Sequence, residues 1–410
     1  MLCQFSVKNY KSFKELATLD MQATNIDLND MSILMDKDGT KYLPLAAIYG
    51  PNGGGKTNII DALYCLKTHI IRPACAACDV NDCDGKNYPA HPAIPFKLSK
   101  DSSNAPSEFE IFFRTKIAEY RYIIHIKNEK IMFEKLSKMN IGGKKIFNIY
   151  TRDLYSIEKH KLSNKLSKIS VESVSDTLPW LSYFAITNNK ISVIKDVFSW
   201  FHNLSFINFA TSSSDLRLAI ADGKMKQFEL KMLKEMDIDV EDYIFEEDER
   251  GSNKDSKLRT IHIINGNKLE FDLEEESSGT IRLFVLIPRL FRCLMNGETL
   301  IIDELDATLH PKILKYIIEL FKSKDSNNKN AQLIFTSHDI STMTPEVFRR
   351  DEIWFAAKNY EQASSLYSLV EIKKENGKVP RSDEKYGKQY LEGRYGADPY
   401  LKRIINWEEL

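Results

Sequence analysis

The sequence predicts an α/β fold: a central, mostly parallel sheet carrying a glycine-rich loop, with an antiparallel β-subdomain and a helical insertion. Three observations carry this prediction. Residues 44–62, PLAAIYGPNGGGKTNIIDA, read as a buried strand, a glycine loop and a helix. Further on, Thr299–Ile302 and Ala331–Thr336 are apolar runs that end in polar residues, as buried parallel strands do where they reach a site. Between these segments, residues 96–148 hold short alternating runs separated by turn-like spacers, the pattern of an antiparallel meander.

Bulk properties narrow the classes. The 410 residues are 43% hydrophobic and 28% charged, with a formal net charge of −1. That is soluble globular composition, long enough for two or three domains, and it argues against a strongly basic protein that coats nucleic acid. The most apolar long stretch, Ile281–Met295, is interrupted by Arg282, Pro288, Arg289 and Arg292, so it does not read as a bilayer span and no membrane is expected as a partner. The opening MLCQFSVKNYKSFKEL alternates like a strand and carries Lys8, Lys11 and Lys14, unlike an export signal. Six unevenly spaced cysteines then point to a reducing, cytoplasmic setting.

Taken in order, residues 2–10 read as an edge strand, Lys11–Lys14 as a turn, Ala17–Met21 as a return strand and 22–43 as a loop. Gly50-Pro51-Asn52-Gly53-Gly54-Gly55-Lys56-Thr57 fits G-x-x-x-x-G-K-[ST]. The glycines allow backbone N–H groups to converge on a β-phosphate, and the following helix adds its positive end. Lys56 is placed to reach β/γ oxygens and Thr57 to offer its hydroxyl to Mg²⁺. From Asn58 the chain reads as a helix with Ile59, Ile60, Leu63 and Leu66 on its apolar side. Cys75, Cys78, Cys83 and His91 include a Cys-x₂-Cys spacing that a zinc site would use; the second pair is spread out, so a loop of ordinary thiols is the favoured reading.

Phe109–Arg114, Tyr120–Lys127 and Ile131–Leu136 are the strands of the meander. Residues 150–250 switch to helical periodicity, as in Ile191–Phe201 and Lys226–Met236. Leu258–Ile264 and Lys268–Leu273 form a hairpin around Asn265-Gly266. Ser277-Ser278-Gly279 opens an apolar helix. The strand Thr299–Ile302 ends in Asp303 and Glu304. Given the upstream glycine loop, Asp303 is placed to hold Mg²⁺ through its water shell, and Glu304 to deprotonate an attacking water, its basicity raised by burial. Pro311 suits a first helical turn. His338, in Ser337-His338-Asp339, is placed to sense a γ-phosphate. Glu352–Ala357 and Ser365–Ile372 are two more strands.

GPNGGGKT at 50–57, SSG at 277–279, TLIIDELD at 299–306 and FTSHD at 335–339 together resemble the ATP-binding-cassette (ABC) type head in its RecF/SMC-like soluble branch. The opening FSVKNYKSFKE is similar to the first strand and turn of that branch. DEIWFAAK at 351–358, SLYSL at 365–369 and YLEGRYGADPY at 390–400 resemble the bacterial abortive-infection ATPases of the AbiLi/RloA type, near the OLD-nuclease ATPase domain. The resemblance implies a P-loop NTPase of ABC/SMC-head type, within the wider AAA grouping, in four parts: an ATPase lobe over 1–150, a mainly helical insertion over 151–254, a second lobe over 255–375 and a tail over 376–410. It implies that Lys11, Ser12 and the loop from Asn52 to Asn58 contact ATP, and that Mg²⁺ sits on Thr57 and Asp303. Ser278 and Gly279 would meet the γ-phosphate of a second copy, with Asp306 and His310 lining the same interface. The expected state is then a homodimer, or a higher homo-oligomer, sandwiching ATP.

The sequence departs from that pattern in ways that shape the functional expectation. The signature is reduced to SSG, and the stretch around Ala93–Lys97 contains no Q-loop Gln. There is no heptad array for a coiled coil, and about 70 residues follow His338, fewer than a TOPRIM nuclease needs. The reading is therefore an ATPase that switches a separately encoded effector, such as a nuclease, in anti-phage defence. A RecF-like ATPase that clamps DNA and a nucleotide-gated scaffold are the alternatives. Asp-Glu-Leu-Asp at 303–306, in place of Asp-Glu-Pro-Thr, disfavours a transporter ATPase.

Overall fold

The computed structural model describes residues 1–26, 32–76, 91–157, 160–187, 190–207, 223–246, 257–373 and 385–397. Strands β1 (Leu2–Lys8) and β2 (Ala17–Asp20) are joined by the Tyr10–Phe13 turn; β3 (Leu34–Met35) and β4 (Lys41–Tyr42) form a small ladder. Strand β5 (Leu45–Tyr49) leads through the glycine loop into α1 (Lys56–Ala76). After the short α2 (Lys100–Asn104) come β6 (Ser107–Arg114), β7 (Glu119–Lys127), β8 (Lys130–Met139), β9 (Ile146–Asp153) and β10 (His160–Leu162). Then follow α3 (Trp180–Thr187), α4 (Ser192–His202), β11 (Leu204–Ile207), α5 (Gly223–Glu235), β12 (Asp242–Glu246), β13 (Lys257–Ile264) and β14 (Asn267–Asp272). The last elements are α6 (Ser278–Asn296), β15 (Thr299–Ile302), α7 (Pro311–Lys322), β16 (Gln332–Thr336), β17 (Ile353–Lys358), β18 (Ser364–Ser368) and α8 (Tyr386–Leu391).

Two large sheets result. One is antiparallel, in the order β10-β9-β8-β7-β6-β1-β2; the other runs β11-β15-β16-β5-β17-β18, parallel except for β18. In the parallel sheet every residue of β5, β15 and β16 is buried, because both faces are covered. Alternation assigns the faces. Ala46, Ile48, Ile301 and Ile334 face α1 and the antiparallel sheet, against Ile59, Leu63, Leu66 and Phe109. Leu45, Ala47, Leu300, Ile302, Leu333 and Phe335 face α6 and α7, against Leu283, Ile287, Leu314 and Ile317. Gln332 stitches the two sheets: its Oε1 accepts from Leu2 N at 2.6 Å, and its Nε2 donates to the carbonyls of Leu2 and Leu43, both at 3.1 Å.

The α/β class with a mostly parallel sheet and an antiparallel subdomain is the one expected. The 150–250 stretch is not wholly helical. Strand β11 extends the parallel sheet beyond β15, and β12 adds a third strand to the β13–β14 hairpin. Strands of four and five residues are too short to impose a visible period. The last sheet strand covers Ser364–Ser368 and stops there because Ser368 Oγ caps a 3₁₀ turn over Leu369–Glu371. Among the described residues no helix is long and apolar enough to cross a membrane.

Candidate functional site

The glycine loop leaves β5 and is pressed against β17. A Cβ at Gly50 would stand 2.1 Å from the Ala356 carbonyl oxygen, and one at Gly54 2.5 Å from the same atom, so this approach requires glycine. Lys56 opens α1 and is buried; its Nζ donates to the carbonyls of Gly50 at 2.9 Å and Pro51 at 3.2 Å. Burial lowers its pKa, opposed by the carboxylates of Asp303, Glu304 and Asp306. Thr57 lies exposed at the helix N-terminus. The Thr57 hydroxyl and the Asp303 carboxylate are hard oxygen donors of the kind Mg²⁺ takes.

The acids stand at the end of β15. Thr336, at the end of the neighbouring β16, fixes both: its Oγ1 donates to Asp303 Oδ1 at 2.6 Å and accepts from Glu304 N at 2.7 Å. Glu304 takes a left-handed conformation, φ +53°, and its side chain is exposed. The expected burial of Glu304 is therefore not found: it stands in a left-handed turn at the sheet end with its side chain exposed. Its carbonyl accepts from the Arg282 guanidinium, one helical turn beyond Ser278. Asp306 Oδ2 accepts from the backbone N–H of His338 at 3.0 Å, and the His338 ring is exposed.

The N-terminal turn packs beside α1. Lys11, at φ +46°, places Nζ 2.5 Å from Asp61, which also accepts from Tyr10 Oη at 2.5 Å and pairs with His91 Nε2 at 2.8 Å. Burial would raise the Asp61 pKa; bonds from His91, Lys11 and Tyr10 outweigh it and hold the carboxyl below its ordinary value. Ser12 Oγ accepts from Asn58 Nδ2 at 2.7 Å. Lys11 and Ser12 are thus already engaged within the chain.

Ser278 and Gly279 begin α6, capped by Ser277, whose Oγ accepts from Thr280 N at 3.1 Å. A Cβ at Gly279 would lie 3.2 Å from the Thr308 carbonyl, so this motif faces the turn after Glu304. No hydrogen bond joins it to the glycine loop among the described residues. His310 caps α7 through Nδ1, which accepts from Lys312 N at 3.2 Å. Of the zinc candidates, Cys75 is buried in α1, His91 is held by Asp61, and Cys78 and Cys83 lie outside the described residues. The described residues contain no group of three metal-ligating side chains.

A cleft of ≈ 670 Å³ opens beside the loop, lined by Asn52, Gly53, His338, Lys358, Tyr390 and Gly396 among others. Helix α8 forms its far wall. Tyr390 stacks on Phe355 with ring centroids 5.7 Å apart, and Tyr367 Oη donates to the Tyr395 carbonyl at 2.7 Å. Sequence reading missed Thr336, Asp61 and Ser364. A lone Ser, Thr or Asp carries no motif, although Asp61, four residues after Thr57, shares a face of α1 with it.

Residues 45–344 match the family described as "AAA domain, putative AbiEii toxin, Type IV TA system". The chain belongs to this family. It is therefore an ATP-binding AAA-type domain related to toxin–antitoxin and abortive-infection ATPases. No curated protein matches it. Among solved structures, the SMC head domain from Thermotoga maritima is similar at 13% identity, covering 90% of this chain and 98% of that one, with a TM-score of 0.41. An Smc head with an extended coiled coil, bound to the C-terminal domain of ScpA from Pyrococcus furiosus, is similar at 12% identity, covering 90% and 96%, with a TM-score of 0.42.

Proposed function

We propose that this AAA-family chain is a Mg²⁺-dependent ATPase that works as a nucleotide-gated switch in anti-phage abortive infection, controlling a separately encoded effector. The observation that carries the ATPase reading is the pairing of the Lys56 loop with the strand-end acids: Thr336, at the end of β16 between β15 and β5, fixes both Asp303 and Glu304 at the sheet end that carries the β5 loop. In this reading Lys56, Thr57 and the backbone from Asn52 to Asn58 hold the phosphates, and Glu304 orients and deprotonates the attacking water. His338 reads the γ-phosphate, and Lys11 and Ser12 contact the nucleotide from the N-terminal turn. Thr57 and Asp303 would hold Mg²⁺, which offsets phosphate charge when bound.

The site is completed by a second copy. In this reading Ser278 and Gly279, beside Thr308 in their own chain, serve the other subunit's γ-phosphate, with Asp306 and His310 at the joint. That contact also encloses Glu304, which a single chain leaves exposed. ATP closes the pair and hydrolysis opens it, a two-state element biased by γ-phosphate contacts. The defence role rests on the family description.

A second reading, a DNA-engaging ATPase, has one observation in its favour. Between Lys127 and Lys168 eleven Lys and Arg face four Asp and Glu, a net +7 in a chain whose total is −1. Glu134 is buried under α3, Glu129 pairs with His69, and Arg152 is itself buried against Asp176; the charge that remains on β8, β9 and β10 is basic.

Lys56→Ala and Glu304→Gln test the catalytic reading. The first loses nucleotide binding; the second binds ATP with Mg²⁺ and accumulates as a closed dimer on size exclusion. Turnover by Glu304→Gln at the parent rate would remove Glu304 from the mechanism. Tagged Glu304→Gln recovered from phage-challenged cells then separates the two roles. A stoichiometric protein retained only with ATP supports the switch; DNA without protein supports the second reading.

A further inference from the structure

Ser364, in β18, lies at the far end of the sequence from the glycine loop yet touches it. It is buried, and its Oγ lies 2.8 Å from the Gly54 carbonyl oxygen and 2.8 Å from Ser12 Oγ. Its backbone N–H donates to the Ser12 carbonyl at 2.7 Å. A Cβ at Gly55 would stand 2.5 Å from Ser364 Oγ and 2.9 Å from Ser364 Cβ, and Gly55 sits at φ +114°. So β18 is packed directly under the loop, in a space that any side chain at Gly55 would fill.

The Gly54 carbonyl can only accept, so Ser364 Oγ is the donor there. Ser364 Oγ is also the donor toward Ser12 Oγ, which accepts from Asn58 Nδ2 as well. One hydroxyl thus bridges the loop carbonyl and the Ser12 turn. A peptide is planar and trans. Holding the Gly54 carbonyl toward β18 therefore turns the N–H of the same peptide, that of Gly55, the opposite way, into the concave side of the loop where a phosphate would rest.

We propose that Ser364 is a positioning residue for the triphosphate: it sets the direction of the Gly54–Gly55 peptide and ties the Ser12 turn to the loop. The inference rests on the ATP-site reading above. It predicts that Ser364→Ala weakens ATP binding about tenfold, the usual effect of orphaning one buried carbonyl, raising KM while kcat stays near the parent. Ser364→Thr keeps the hydroxyl and restores affinity. Ser12→Ala and Ser364→Ala in the double variant cost less than their product, because each removes the same Ser364–Ser12 hydrogen bond.

The experiment is titration of a fluorescent ATP analogue into the full chain with Mg²⁺, with melting curves for each variant and Lys56→Ala as reference. Lys56→Ala at parental affinity overturns the ATP-site reading itself. Lost binding in Lys56→Ala with parental affinity in Ser364→Ala overturns the role of Ser364 alone. A lowered Tm in Ser364→Ala without a change in affinity also overturns it, since that is what plain packing would give.

Discussion

Gly54→Ala and Gly53→Ala separate two ways in which a loop can require glycine. Gly53 has φ +73° and nothing within 4 Å of the position its Cβ would take. Alanine there meets only left-handed backbone strain, about 1–2 kcal/mol, or roughly tenfold in affinity. Gly54 has no left-handed strain, but its Cβ would lie 2.5 Å from the Ala356 carbonyl oxygen, with Pro51 atoms at 3.0 and 3.1 Å. Ordinary contact begins near 3.4 Å, so about 0.9 Å must be found. Strand β17 does not yield it, because it is paired with β5 on one side and β18 on the other. The loop moves instead, and displacement of a preorganised site by about 1 Å costs about 10²-fold. Gly54→Ala is therefore the more damaging change by about an order of magnitude. Calorimetric titration of ATP with Mg²⁺ measures it, with melting curves to confirm that both variants are folded. Equal affinities, or a weaker Gly53→Ala, would refute the claim that β17 sets the loop position.

Two more predictions follow from side chains behind the site. Arg282→Ala removes the donor to the Glu304 carbonyl and frees the left-handed turn; kcat should fall about tenfold with the ATP Kd unchanged, as single-turnover rates and binding titrations would show. Glu229, in α5 against α6, is buried with Tyr243 Oη donating to it at 2.7 Å, and burial pushes its pKa from about 4.5 to about 8. The folded state then holds a proton that the unfolded chain has released, so stability is full below pH 4.5 and declines as pH rises through 8, by up to about 1.4 kcal/mol per pH unit. Glu229→Gln should flatten this slope in denaturant midpoints measured across pH 5–9; an unchanged slope would place the proton elsewhere.

Legibility in the sequence followed the length of the signal. The glycine loop was readable because type, spacing and context coincide over 44–62, and β15 and β16 because each is an apolar run ending at a polar residue. The meander was readable from its alternation. Strands β11 and β12 were not, since four or five residues inside a helical region show no period. The supporting residues were hidden for another reason. Ser364 lies 352 positions from Ser12, which the resemblance had already marked, and Gln332 lies 330 from Leu2; an ordinary Ser or Gln declares nothing until the sheets bring it to its partner. The exposure of Glu304 was also invisible, because it follows from one backbone angle.

The charges around the loop carry a last consequence. Lys56 has its ammonium on the Gly50 and Pro51 carbonyls, and three carboxylates, Asp303, Glu304 and Asp306, act on it from across the site. Arg282 is another cation there, and it is bonded to the Glu304 carbonyl. A triphosphate entering this site meets the three carboxylates, and it must also draw Lys56 away from two carbonyls. Backbone N–H groups of the loop offset part of this, but they do not cancel a carboxylate standing at a sheet end. A divalent cation, held on the proposed reading by Thr57 and Asp303, would offset that repulsion. ATP affinity should then fall at least about tenfold in EDTA, and Asp303→Asn should recover part of the metal-free affinity while losing the response to Mg²⁺. Such a crossing cannot arise from a general loss of structure. Equal ATP affinity with and without Mg²⁺ in the parent would mean that the acids do not face the phosphates.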